Sequence, residues 1–299
     1  MWHQLEPTQA HIAYALIGVI SLFFSLFSLI LKEKLFVGEA IIGTIFGILV
    51  GPDVLNWFNP SDWITDVDHL TLELSRIILI IQLFATGVEL PPKYMQRHFR
   101  SVSIVLFVSM IGGWLILALC VWGLFHNIGF TFSDSLLVGA TFVATDPVLA
   151  GAIVGKSKFA ERIRPDIKDL IQSESGCNDG LAFPFVTLSI NLVLNKPNNT
   201  HAGEIIKDWF LVGILYQCAL GTILGVIIGY IGMKGVILVK EKNWIDTESY
   251  LVFYIALSLI CTGVGSMLGC DDLLLSFAAG CAFNWTGDFT VFVKLRLLI

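Results

Sequence analysis

Charge is the scarcest commodity in this chain. Only 14% of its 299 residues are Asp, Glu, Lys or Arg, where a soluble domain carries about 25%. A basic excess is also missing. Eighteen Lys and Arg stand against 24 Asp and Glu, a net charge of −6, and nucleic acid would call for a basic face. The six cysteines (Cys120, Cys177, Cys218, Cys261, Cys270 and Cys281) lie in or beside apolar segments without metal-ligand spacing. They read as small apolar residues rather than a disulfide framework. Histidine is absent from the apolar segments proper, with His11 and His126 at their ends. An intramembrane hydrolase would need a Ser with a His, or paired catalytic aspartates on facing helices, so an enzyme is not expected, nor is a cofactor. No carbonyl filter loop of a channel is visible. The N-terminus holds no Lys or Arg before a full-length apolar run, which is not the pattern of a cleavable signal.

What is present is apolar surface. Hydrophobic residues make up 56% of the chain and the mean hydropathy is +0.79. That composition predicts an all-α polytopic membrane protein lying in a lipid bilayer, because a span needs roughly 20 apolar residues. Nine transmembrane helices are expected, at about 11–31, 35–51, 70–90, 102–126, 133–154, 170–194, 209–231, 249–269 and 272–285. The basic residues of the connecting loops alternate. One set of loops holds 2, 3, 5 and 3 Lys and Arg, the other 0, 0 and 2. The positive-inside rule makes the first set cytoplasmic. The N-terminus and the 195–208 loop are then outside and the C-terminus inside. Asn198-Asn199-Thr200, a glycosylation acceptor pattern, lies in that outer loop.

The sixth span carries Ser173-Glu174-Ser175-Gly176-Cys177-Asn178-Asp179-Gly180. An acidic side chain at a helix centre costs about 2.5–3.5 kcal/mol on insertion scales, and this span carries two. The fifth span carries Ala144-Thr145-Asp146-Pro147 near its middle. Proline removes a backbone donor and pushes the residue before it toward extended geometry. In lipid such a break belongs where it lines a cavity, and transporters bind ions at broken helices near the midplane. Together the two spans predict a cation and proton site. Ser175 and Asp179 are i, i+4 and share a face, as do Glu174 and Asn178. Oxygen ligands suit a small monovalent cation. A carboxylate withdrawn from water takes up a proton more readily, so one group can hold a proton or a cation in turn. Asp179 is the choice for that group. Asn178 is expected to brace the Thr145 region, and Glu174 to pair with a basic side chain. Gly176, Gly180 and Pro184 are expected to serve close approach or a bend.

Other polar positions leave alternatives open. Glu73 and Arg76, at i, i+3, read as an ion pair near the boundary. Glu89, before Pro91-Pro92, is either interfacial or part of an ion path. The fourth span shows no ionisable group before His126 and reads as scaffold. Asp271 and Asp272 suit an outer helix cap or an ion path.

Thr145-Asp146-Pro147 with Glu174-Ser175-Gly176-Cys177-Asn178-Asp179-Gly180 resembles the paired signatures of the monovalent cation:proton antiporter superfamily, in its sodium/proton exchanger branch. Lys32-Glu33-Lys34-Leu35 with Gly38-Glu39, Asn56-Trp57-Phe58-Asn59-Pro60, and the run Val264 to Leu274 are similar to the fungal plasma-membrane alkali-metal cation/proton antiporters. The resemblance covers roughly residues 1–286. It implies thirteen helices in two inverted repeats of six joined by a linker helix. The chain is usually a homodimer, with a core domain that moves in an elevator-like cycle. It implies electroneutral exchange of sodium or lithium, with potassium a further candidate, for a proton across the plasma membrane. The Asn-Asp pair is its mark. By position, Asp179 is the proton-exchanging, sodium- or potassium-binding carboxylate. Ser175 and Thr145 contribute ligands, and Asp146 offsets helix-end dipoles. Asn178 is the electroneutral-type partner, Glu174 stabilises the core, and Asp271 and Asp272 match an acidic pair implicated in transport.

On that reading the first repeat occupies 11–194, the linker helix 209–231 and the start of the second repeat 249–286. The ending 287–299 is atypical. The expectation is a C-terminally shortened antiporter that transports poorly or not at all alone, half of its ion site being open.

Overall fold

A computed structural model describes residues 9–34, 39–146, 150, 162–194, 202–242 and 247–287. Pro147, the Asn198-Asn199-Thr200 loop and the ending 288–299 lie outside them. The described residues are almost all helical, with no strand among them. In chain order the helices are α1 (Gln9–Lys34), α2 (Glu39–Val50), α3 (Val67–Glu89), α4 (Tyr94–Phe125), α5 (Phe132–Thr141), α6 (Pro165–Leu194), α7 (Ala202–Asp208), α8 (Gly221–Glu241), α9 (Thr247–Leu268) and α10 (Asp272–Phe283). Each expected span has its helix. Among the described residues, Val67–Glu89, Tyr94–Ile128, Pro165–Leu194 and Gly203–Glu241 are each long and apolar enough to cross a membrane. The chain is a multi-pass membrane protein.

The chain falls into two compact units, residues 1–76 with 152–163, and 77–151 with 164–299. In the first, the turn after α2 shows why its motif has the residues it has. Asn56 takes a left-handed conformation at φ 51°, which Asn tolerates better than most residues. The amides of Asn56, Trp57 and Phe58 fold back onto the carbonyls of Gly51 and Val50. Pro60 then opens a short 3-10 turn, Pro60–Asp62, whose first turn needs no amide from it. Asn59 Nδ2 donates to Asp62 Oδ1 at 3.0 Å. The expected Glu73–Arg76 pair forms at 3.4 Å.

The second unit is built around α10. Its short apolar run lies against α8, where Gly221, Gly225 and Gly229 recur every four residues. A Cβ at Gly225 or Gly229 would collide with the backbone carbonyls of Leu275 or Ala279. Small residues let two helix backbones approach this closely in lipid. Ser276 Oγ donates to the Ile80 carbonyl at 3.0 Å, and Asn284 Nδ2 donates to the carbonyls of Val88 and Leu90. These bonds tie the C-terminal half of α3 and the Leu90 carbonyl just beyond it to α10 and its C-cap Asn284.

Three helices depart most from the bounds expected from the sequence. The α4 helix starts eight residues early, within the basic loop, after Lys93 in a left-handed conformation (φ 58°), and bends at His98 (φ −112°, ψ 16°). The α5 helix stops at Thr141, and residues 142–146 leave the helix, so the break precedes Pro147 by several residues. The Ala150 amide returns to the Asp146 carbonyl at 3.0 Å, an i to i−4 bond. The seventh span extends on both sides of 209–231, and Trp209–Leu220 within it is wound as a π-helix.

Candidate functional site

The non-helical segment after α5 has backbone groups that no helix satisfies. In an apolar surrounding they need partners, and the partners come from α6. The Thr145 amide donates to Asn178 Oδ1 at 2.9 Å. Asn178 Nδ2 donates to Thr145 Oγ1 at 2.6 Å. Ser175 Oγ donates to the Thr145 carbonyl at 2.9 Å and accepts from Thr145 Oγ1 at 3.2 Å. Ser175 and Asn178, three apart on one helix face, thus take both backbone groups and the hydroxyl of Thr145. Both are buried, and Asn178 is fully so.

The same amide reaches Glu174. Asn178 Nδ2 donates to Glu174 Oε1 at 3.2 Å, and Ser109 Oγ on α4 donates to that oxygen at 2.8 Å. The described residues therefore give Glu174 a hydroxyl and an amide as partners, where a basic side chain was expected. Ser109 also changes the standing of α4, which read as scaffold. An uncharged serine in an apolar run gave no sign of this role.

Asp179, half-buried, lies one turn further along α6. Asp146, Asp271 and Glu174 are all close enough for their charges to act on it. Asp271 caps α10: its Oδ1 accepts the amides of Leu273 and Leu274, each at 3.0 Å. Its Oδ2 is buried with no hydrogen-bond partner. That oxygen faces α6, since a Cβ at Gly180 would come within 2.8 Å of it. Gly180 is what lets this carboxylate sit beside the Asp179 turn, and Gly176 makes the same room for the Phe277 ring.

Two expected members stand apart. Asp272 turns toward α9, where Ser266 Oγ donates to its Oδ2 at 3.4 Å. Glu89 accepts from Gln172 Nε2 at 2.8 Å, seven residues before Asp179, or about 10 Å along the helix. Gln172 was another partner not anticipated.

A broken helix laced to an acidic helix inside an apolar bundle has the make-up of an ion-handling membrane protein. The chain belongs to the sodium/hydrogen exchanger, transmembrane family, which matches residues 19–294. It is similar to "Na(+)/H(+) antiporter 2" of Zygosaccharomyces rouxii, 51% identical over 288 residues, 96% of this chain and 35% of that protein. It is also similar to the "Na(+)/H(+) antiporter" of Saccharomyces cerevisiae, 51% identical over 290 residues, 97% of this chain and 29% of the relative. A "Probable Na(+)/H(+) antiporter" of Schizosaccharomyces pombe is 45% identical over 289 residues, 97% and 37% of the two chains. The chain spans about a third of the length of these three relatives.

Proposed function

We propose that this chain carries an alkali-cation and proton exchange site, and that its activity is electroneutral antiport of sodium or lithium, with potassium a further candidate, against protons across the plasma membrane. The observation that carries the reading is the lacing of the unwound Thr145 segment onto α6 beside Asp179. It gathers hydroxyl, carbonyl and carboxylate oxygens near one carboxylate in a membrane-spanning helix. Oxygen donors are the ligands that hard cations take. In this reading Asp179 holds either a proton or a cation, and Ser175 and Thr145 complete the cation's shell. Asn178 keeps the segment in register without adding charge. Asp146 offsets the helix-end dipoles, and Glu174 ties α6 to α4. Family membership and the printed names of the relatives support the same exchange. The reading places the N-terminus outside, the C-terminus in the cytoplasm, and two copies side by side as a homodimer.

The test is an equilibrium one. Sodium added to the purified, weakly buffered chain is expected to release protons, followed with a pH dye. Asp179→Asn should abolish the release. Absence of release from the parent, or equal release from the variant, would overturn the assignment. In liposomes holding the chain, any sodium-driven proton flux should show the same dependence on Asp179.

A further inference from the structure

Four polar side chains outside the Asp179 region share one cavity. It has a volume of about 280 Å³, and its walls include Thr187 and Asn191 of α6 with Asp208, Trp209, Gly213 and Gln217 of the following helix. At about 30 Å³ per water, it has room for a cation with its inner water shell. Thr187 and Asn191 lie 8 and 12 residues beyond Asp179, or about 12–18 Å along α6. The cavity is a separate place, toward the end of α6 remote from Glu89 and Gln172.

The winding of the second wall assembles it. Asp208 and Gln217 are nine residues apart. At 3.6 residues per turn they would lie about half a turn from each other. The Trp209–Leu220 stretch is a π-helix, bonded i to i+5 with more than four residues per turn. Nine residues then make about two turns, and Asp208 and Gln217 come to one face. Gly213 between them presents no side chain, and the nearest atom to a Cβ built there is Thr187 Oγ1 at 3.7 Å. Trp209 Nε1 donates to the Pro184 carbonyl at 2.7 Å, pinning the two walls. π-Helical turns concentrate at functional sites.

Beside the apolar Ile190 and Val212, the lining residues carry a carboxylate, two amide groups and the Thr187 hydroxyl, which donates to the carbonyls of Phe183 and Pro184 and keeps its lone pairs for a ligand. The charged member of the lining is an acid. That set suits a monovalent cation and repels anions. The Gln217 position adjoins the Asp179 region through the backbone: its main-chain carbonyl accepts the main-chain amide of Asp271 at 3.2 Å, and Asp271 is the residue whose buried Oδ2 faces the Asp179 turn.

We propose that this cavity is a second station for a hydrated alkali cation, set between solvent and the Asp179 region. The assignment rests on the exchange reading for its direction of passage, but not for the binding itself. Asp208 supplies the charge. Thr187, Asn191 and Gln217 supply neutral oxygens. The weak, partly hydrated hold lets the cation move on.

Trp209 makes the station observable. The purified full chain in lipid nanodiscs is titrated with thallium(I), a monovalent heavy cation that quenches indole fluorescence on contact. The Trp209 contribution is the difference from Trp209→Phe. Quenching of that contribution should saturate and be relieved by sodium. Asp208→Asn and Thr187→Val should each weaken it about fivefold. Sodium-23 line broadening, which needs no tryptophan, is the second readout should Trp209→Phe not fold. Asp208→Asn should remove most of the excess broadening that persists in Asp179→Asn. Linear, unsaturable quenching overturns the proposal, as does broadening indifferent to Asp208 and Thr187. The two readings fail separately. A saturable Trp209 signal without Asp179-dependent proton release keeps the station and sinks the exchange site. The reverse pattern keeps the exchange site and leaves the cavity as plain water.

Discussion

Asn178 is fully buried and has three hydrogen bonds to maintain. Remove its amide and the Thr145 amide and Glu174 each lose a partner where water is scarce. A buried polar group left unsatisfied costs about 1–3 kcal/mol. Asn178→Ala is therefore expected to lower the unfolding midpoint in detergent, with helix content unchanged before the transition. Ser109→Ala removes one bond to Glu174, and a smaller loss of about 1 kcal/mol is expected. This cluster was largely legible in the sequence. Polar and acidic residues inside an apolar run have no use unless they meet each other, and that logic finds Thr145, Asn178 and Asp179. It does not find Ser109 or Gln172. A serine or glutamine can hide in a helix by bonding to its own backbone or to solvent. Only the packing of α4, α6 and the end of α3 shows which ones reach across.

Helices fail in a different way from residues. Along α8, Gly229 abuts the Ala279 backbone, while Gly235 on the same helix has nothing within 4 Å of its would-be Cβ. Gly229→Val should force α8 from α10 and cost about 1–3 kcal/mol, the range of overpacked cores. Gly235→Val should leave the thermal midpoint within error, or raise it slightly, because valine is the better helix former. If the two variants behave alike, the close α8–α10 packing is not what holds this unit. The apolar pattern predicted where helices would be, since twenty apolar residues in a row admit little else in a bilayer. It could not show the π-winding of Trp209–Leu220, because an apolar stretch reads the same at either pitch. Nor could it show that α5 ends at Thr141. The proline that signals the break comes six residues later, whereas residues 142–146 have already left the helix and Thr145 among them takes its partners from Asn178 and Ser175.

At the scale of the molecule, sidedness is the quantity to measure. The loop after α4 carries no Lys or Arg between 127 and 132, whereas Arg162 and Arg164 lead into α6 and Lys168 lies in its first turn. In a version with the native cysteines replaced, Asn127→Cys should react with an impermeant maleimide in intact cells. Arg164→Cys should react only after permeabilisation. The opposite result would invert the orientation assigned from loop charge.

The lacing of Thr145 to α6 has one more consequence. The stray segment and the helix are tied by four bonds, two of them to backbone, so a displacement of one would carry the other. In the proposed exchange, an ion at Asp179 would then keep its escort of oxygens from one face of the bilayer to the other. Its preference among alkali metals would then be a property of the vehicle, identical on the outbound and return journeys.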